Sequence, residues 1–264
     1  MRHLLKRSFS GIVFVLLFIS AILFSKESYV ILTALFGFLC IWEFSKMIQL
    51  KSFVTYIFFG TLLFLMLKKQ ESYATTGILM ITILSSLSLI YQLLAKKEIT
   101  FSNDRAKLGV TIRYVIFSIT FLILLPFHQN EFHPNLIISI LSIIWVNDSF
   151  AFLVGKNLGV HKLFSSVSPK KTVEGFFGGL VFSLLAAMFI SKFNSNFTML
   201  NWLIIGVIVS SIGTLGDLVE SKFKRQANIK DSGNLMPGHG GILDRLDSLL
   251  FVTPFVYLYI NFII

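Results

Sequence analysis

The chain reads as long apolar runs broken by short polar stretches. A helix needs about 20 residues to cross a hydrocarbon layer. On that ruler the pattern predicts about nine helical spans, at 8–24, 29–48, 52–67, 74–94, 108–127, 134–155, 173–191, 200–221 and 246–264. The first follows Arg2, Lys6 and Arg7, and no small-x-small cleavage site follows Phe24. It is therefore expected to be an uncleaved span and not a signal peptide. The fold class expected is all-α, a polytopic integral membrane protein, with no internal repeat and no low-complexity tract.

Most connections are short, as helices that cross and return require. Two are long and rich in Gly, Ser and charge, at 156–172 and 222–245. Both fall in a C-terminal region, 134–264, where any chemistry is expected, after an N-terminal region of spans, 1–133.

Composition agrees with a membrane solvent. Of 264 residues, 55% are hydrophobic and 14% charged, against about 25% charged in a soluble domain. A water-soluble enzyme and a disordered chain are both excluded. The net charge of +10 would suggest nucleic acid in a soluble protein. Here topology accounts for it, and no nucleic-acid partner is expected. With the N-terminus inside, the inside segments hold Arg2, Lys6, Arg7, Lys46, Lys51, Lys96, Lys97, Arg105, Lys107, Lys156, Lys162, Lys170, Lys171, Lys222, Lys224, Arg225, Lys230 and Arg245. The outside segments hold Lys26, Lys68, Lys69 and Lys192. That bias predicts a cytoplasmic N-terminus. The single cysteine, Cys40, lies in an apolar run, so neither an intrachain disulfide nor a multi-cysteine zinc site can form.

Acids inside spans are costly and need a reason. Asn147 and Asp148 interrupt the run Leu136 to Val154, Asp217 interrupts Leu203 to Val219, and Asp244 and Asp247 flank the start of the last span. Helical spacing puts Asp217, Glu220, Ser221 and Lys224 on one face for two turns. It groups Asp244, Asp247 and Ser248 on another. Asp148, Ala151, Phe152 and Gly155 share a third, where small residues permit close backbone approach. One reading pairs these acids with Lys or Arg to hold helices together. A second makes an acidic pocket rimmed by bases at the inner membrane boundary, a pattern suited to phosphates with Mg²⁺. An ion or proton pathway is a third.

The long loops add candidates. Ser168 reads as a helix N-cap with Pro169 at the first helical position. Lys170 and Lys171 would then stand at a helix N-terminus, where an anion is favoured. In 221–248, Gly233, Gly238, Gly240 and Gly241 permit tight turns and close approach of backbone N–H groups to a ligand. His239 among them is a donor candidate for a phosphate. Walker A, GxGxxG, HExxH and GxSxG motifs are all missing from the sequence, so no Ser or Cys nucleophile is indicated.

These residues together resemble a known family. Ser221, Lys224 and Arg225, then Lys230 and Asp231, then Pro237 through His239, Gly240, Gly241, Asp244 and Arg245 to Asp247 are similar to the signature of CDP-diacylglycerol synthases (phosphatidate cytidylyltransferases). Ser168 to Gly175 resembles a second element of that family, in which an aromatic often stands at Val173. Asn147, Asp148, Ala151, Phe152, Gly155 and Lys156 resemble a third, in which Tyr is common at Phe152. The departures leave the charged positions intact. The specific likeness covers roughly 145–250.

The resemblance implies that CTP and phosphatidate give CDP-diacylglycerol and pyrophosphate with Mg²⁺, beside which a second, monovalent cation is a family possibility. It implies Asp217 and Asp244 as metal ligands, with Asp148, Asp231 and Asp247 as auxiliary acids. Lys170, Lys171, Lys224, Arg225, Lys230 and Arg245 are then phosphate-binding candidates, and Ser168, Ser221, His239, Gly240 and Gly241 complete the substrate site. A homodimer in a bacterial cytoplasmic membrane, with the site facing the cytoplasm, is the matching expectation. A CTP-dependent polyprenol or phytol kinase shares similar charged elements and stays open at this point. An ion-coupled transporter and a CDP-alcohol phosphotransferase fit less well, since neither paired unwound segments nor a closely spaced Asp/Gly run is found.

Overall fold

The computed structural model describes residues 2–68, 72–128, 131–194, 197–238 and 240–264, with side chains from residue 9 onward. His239 and Lys69 therefore lie outside the described residues. The helices are α1 (Arg2–Phe24), α2 (Lys26–Met47), α3 (Val54–Lys68), α4 (Tyr73–Leu94), α5 (Asp104–Val110), α6 (Phe117–Leu124), α7 (Pro134–Leu158), α8 (Val173–Phe193), α9 (Met199–Gln226) and α10 (Leu243–Phe262). A π-helical turn, Thr111–Ile116, joins α5 to α6 in one rod. Among the described residues, six stretches are long and apolar enough to cross a membrane: α2, α4, the α5–α6 rod, α7, α8 and α9. Apolar helices of shorter length lie at Phe9–Phe24 and Val54–Lys68, and α10 opens with Asp244, Arg245 and Asp247.

Polar caps start the helices. Ser25 and Ser28 form a reciprocal capping box that separates α1 from α2, and Ser72, Asn103, Thr172 and Thr198 each accept an amide N–H of the next turn. The flanks between helix ends are apolar and exposed, with Ile31, Phe64, Leu84, Phe177 and Phe189 among the large side chains left outward. A bilayer, and not water, is the solvent that such a surface suits.

The all-α expectation needs one correction. Two short antiparallel ladders are present, β1 (Phe127–His128) with β2 (Glu131–Phe132) and β3 (Lys162–Phe164) with β4 (Ser168–Thr172). The second occupies the segment expected to be a loop at 156–172. Its ends are tied down: Glu174 accepts from the amides of Val160 and His161, with His161 Nδ1 2.6 Å from its Oε1, and the Val173 amide donates to the His161 carbonyl.

Contacts between distant segments sort the helix ends into two layers. In one layer Tyr29 donates to the Leu122 carbonyl, His128 meets Asn261, and Tyr259 donates to Asn201. In the other, Ser10 donates to the Pro237 carbonyl, Lys107 to that of Gln49, and Lys222 to that of Gln92. Helices thus run alternately up and down, and both long polar segments meet in the second layer. Beneath it lies an aromatic core. Phe223 packs 5.1 Å from Phe44 and 5.2 Å from Tyr114, centroid to centroid, and joins α9 to α2 and the π-turn. Glycines bring the C-terminal helices close. A Cβ at Gly179 would stand 2.7 Å from Asn147 Oδ1, and one at Gly216 would stand 2.4 Å from Phe251 Cβ. The α7–α8 and α9–α10 pairs depend on that clearance.

Candidate active site

The polar layer gathers the C-terminal ends of α2, α4, α7 and α9 with the N-terminal ends of α5, α8 and α10. α9 runs on to Gln226, five residues past the predicted limit, so Lys222, Lys224 and Arg225 are helical and not loop residues. The extension is held from outside the helix. Lys222 Nζ donates to the carbonyls of Gln92 and Lys97, and the Gln226 side chain exchanges two hydrogen bonds with the Ile99 backbone, at 3.3 and 3.4 Å. The basic 96–103 connection is thereby stitched to the last two turns of α9.

The acidic face predicted for α9 is present and paired. Ser221 Oγ donates to Asp217 Oδ1 at 3.2 Å, and Lys171 of β4 brings its Nζ 2.6 Å from Asp217 Oδ2. One turn on, Lys224 pairs with Glu220 on its own helix and with Asp244 Oδ1 of α10 at 2.8 Å. The two groupings differ in access. Glu220 and Asp244 are 0% and 6% exposed, whereas Lys171 and Asp217 are 28% and 32% exposed. The Lys171–Asp217 pair is open to a ligand; the Lys224 triad is enclosed.

Asp244 does a second task. Its Oδ2 accepts from the amides of Ser232 at 2.9 Å and Gly241 at 2.7 Å, which folds the 231–241 loop back on α10. Gly240 enters that fold at φ +90°, a conformation that disfavours any residue with a Cβ. Asp244 Oδ1, shared with Lys224, is the oxygen left for any further ligand.

Asp148 accepts from Asn147 Nδ2 at 3.1 Å, and Asn147 Oδ1 accepts from Ser183 at 3.3 Å. Asp148 lies within Coulombic range of Lys171, Asp217 and Arg245, and Asp247 within range of Asp217, Lys224 and Asp148. Asp247 Oδ1 accepts the amide of Ser248 at 2.7 Å. Arg225 reaches back to the carbonyls of Val167 and Ile229, both at 3.4 Å, and so ties the β3–β4 turn to α9. Lys170, Lys230, Asp231 and Arg245 are exposed at the rim.

One local expectation is overturned. Ser168 is not a helix cap. Residues 168–172 form β4, paired to β3, and Thr172 is the residue whose Oγ1 accepts the Gly175 amide, at 3.1 Å. Lys170 and Lys171 therefore stand on a strand leading into α8, not in its first turn. Thr172→Ala is expected to lower stability by about 1 kcal/mol, the usual worth of a lost N-cap, read as a shift in thermal midpoint in detergent.

Three residues were not singled out from sequence. Glu220 was seen only as part of a polar face. Ser232 carried no signal of its own. Glu43, fully enclosed in α2, is an acid in an apolar run, and the rule that flagged Asp148 and Asp217 points to it equally.

The acids present are hard oxygen donors, and the one cysteine, Cys40, is buried within α2. Among the described residues no three acidic, His or Cys side chains form a ready-made metal cage. Mg²⁺ does not require one, because it takes one or two protein carboxylates and fills its shell with water and substrate phosphates. Asp217, with Asp148 and Asp247 in range and a lysine opposite, fits that use.

Comparison with known proteins decides the family. The model of the cytidylyltransferase family matches residues 5–263. The chain belongs to this family. A Bacillus subtilis (strain 168) protein named phosphatidate cytidylyltransferase is 35% identical over 260 residues, covering 96% of both chains. A Staphylococcus haemolyticus protein of the same name is 34% identical over 255 residues, covering 94% of this chain and 95% of its own. One from Staphylococcus aureus (strain COL) is 43% identical over 176 residues, covering 65% and 64%. In the present chain Lys171, Asp217, Lys224 and Asp244 cluster at one end of the apolar bundle.

Proposed function

We propose that this cytidylyltransferase acts on phosphatidate and CTP, giving CDP-diacylglycerol and pyrophosphate in a Mg²⁺-dependent reaction. The observation that carries the reading is the open Lys171–Asp217 pair between β4 and α9, with the auxiliary acids in range. The full-length relatives named for that activity support it. The proposal includes about nine spans, a cytoplasmic N-terminus and a site facing the cytoplasm of a bacterial inner membrane, because the basic segments share the site's end of the bundle. A homodimer is retained from the resemblance alone.

An oxygen of the phosphatidate phosphate attacks the α-phosphorus of CTP. The new P–O bond forms as the bond from that phosphorus to the bridging oxygen of the β-phosphate breaks, and pyrophosphate departs with the electron pair. Phosphatidate is ionised at neutral pH, so no strong general base is needed. The residues' work is then positioning and charge. Lys171 and Lys170 meet phosphate at the β4 edge, and Arg245 and Lys230 meet it from the rim. Ser221 orients Asp217. Lys224 and Asp244 hold the start of α10 against α9, and Arg225 fixes the β3–β4 turn. Ser168, Gly240 and Gly241 line the substrate region in this reading, with Asp231 at its mouth, and His239 is retained as a hydrogen-bond donor to phosphate from the sequence alone. Asp217 and Oδ1 of Asp244 are the carboxylate oxygens assigned to Mg²⁺, with Asp148 and Asp247 in support. When bound, the ion supplies positive charge against the triphosphate and the leaving pyrophosphate. A second, monovalent cation is retained from the resemblance alone.

The test is turnover by the full chain in detergent–lipid micelles with labelled CTP, phosphatidate and Mg²⁺. The expected products are CDP-diacylglycerol and pyrophosphate, lost on adding EDTA. Release of CDP with phosphorylation of a polyprenol or phytol, and no CDP-diacylglycerol, would replace this reading with a lipid kinase.

A further inference from the structure

Glu43 lies in the last turns of α2, some 200 residues away in sequence from the loop it touches. The location is poor for an acid. It is 0% exposed, and the carbonyl end of a helix disfavours negative charge. Its partners among the described residues are donors and not a cation: Ser232 Oγ at 3.2 Å, the Ile242 amide at 3.1 Å and the Leu243 amide at 2.8 Å.

Those amides belong to the start of α10. A helix leaves its first N–H groups without intrahelical partners, and Ile242 at the N-cap supplies no side-chain acceptor. The carboxylate of another helix does what a local Asp or Ser usually does, and its charge suits that helix end. The first turn it caps carries Asp244 and Arg245, and Asp247 opens the next turn. The loop is shaped to admit it. A Cβ at Gly233 would stand 2.4 Å from Glu43 Oε1, and one at Gly241 would stand 2.3 Å from Oε2. One chain of contacts then runs from Glu43 to Ser232, from the Ser232 amide to Asp244, and from Asp244 to Lys224.

We infer that Glu43 is a positioning residue for the reaction, an N-cap supplied by α2 that sets the first turn of α10 and the 232–243 loop against α9. This rests on the proposed transferase reading for what is positioned, and on the hydrogen bonds alone for the clamp. α2 belongs to the region expected to be plain membrane scaffold, and the inference gives it a share in the chemistry.

The test compares full-length wild type with Glu43→Ala, Glu43→Gln, Gly233→Ala and the Glu43→Ala/Gly233→Ala double variant, each in micelles. Misplacing reacting groups by an ångström costs up to about 100-fold. Glu43→Ala is expected to lower kcat by about that factor while KM for CTP changes by less than about threefold. Glu43→Gln, which keeps volume and one acceptor, falls in between, and it carries the readouts if the alanine variant does not fold. Gly233→Ala is expected to damage wild type yet add little in the Glu43→Ala background, where the atoms it would strike are gone. Hydrogen exchange at the Ile242 and Leu243 amides is expected to quicken in both Glu43 variants. A role limited to stability would lower yield or melting temperature and leave kcat per folded molecule unchanged; that result overturns the inference. So does a Gly233→Ala loss of equal size in both backgrounds. The exchange and melting readouts need no substrate. A wild type that makes no CDP-diacylglycerol therefore defeats the proposed reaction without deciding the clamp.

Discussion

Asp217→Asn is expected to lower CDP-diacylglycerol formation by at least about 10³-fold, a loss typical when a charged group that acts only in the transition state is removed. The substitution keeps shape and one acceptor oxygen, so Ser221 retains a partner. What goes is the negative charge opposite Lys171 and beside Asp148 and Asp247. An amide is a poor substitute for a carboxylate toward a hard cation. The site is partly open at this point, with Asp217 32% exposed, so the folded state does not depend on the charge as it would at an enclosed position. Expression, membrane insertion and melting temperature are expected to stay near wild type. The measurement is turnover over a Mg²⁺ titration beside a thermal melt. Activity within a few-fold of wild type would remove Asp217 from the metal site and shift the assignment toward Asp247 and Asp148.

How far the sequence carried this depends on the range of the interaction. Apolar runs long enough to span are a local property, and α2, α4, α7, α8 and α9 lie close to where the pattern placed them. The polar face from Asp217 to Lys224 was legible because i, i+3 and i+4 neighbours meet on any helix, and Ser221 and Lys224 do meet Asp217 and Glu220. The C-terminal limit of α9 was not legible. Its last turns are held by Gln92, Lys97 and Ile99, more than 120 residues earlier in the chain. The Ser168 cap failed for a similar reason. Ser168 and Pro169 fit the N-cap and first-position preferences of a helix start, though Lys171 makes no capping box; pairing with β3 claims that backbone and moves the start to Thr172. Asp244 and Lys171 were recognisable as candidates from an acid at a span boundary and a base in a long polar segment, and again through the family likeness. Which base meets which acid, Lys171 with Asp217 and Lys224 with Asp244, is tertiary information that no spacing contains.

Lys224→Met should act mainly on stability, and strongly. Lys224 is 12% exposed and is the cation between Glu220 and Asp244, at 0% and 6%. Removing one member of a buried ionic group leaves the others charged and uncompensated, at about 3–5 kcal/mol. Here two carboxylates on neighbouring helices would be left facing each other at the α9–α10 junction. The aromatic contacts of Phe223 and the Gly216–Phe251 packing lie next to it, so loosening of the junction should spread. A fall in midpoint of roughly 10 °C or more in detergent is expected at this chain length, with little recovery in high salt, because screening acts weakly on enclosed charges. The Lys224→Met/Glu220→Gln/Asp244→Asn triple variant separates charge from shape. It keeps an acceptor at position 244 for the Ser232 and Gly241 amides and removes all three charges, so most of the lost stability should return. Activity should not return, because Asp244 is then neutral. A Lys224→Met protein as stable as wild type would mean that the triad is neutralised by protons and not by the lysine, and a triple variant that regained turnover would take Asp244 out of the reaction.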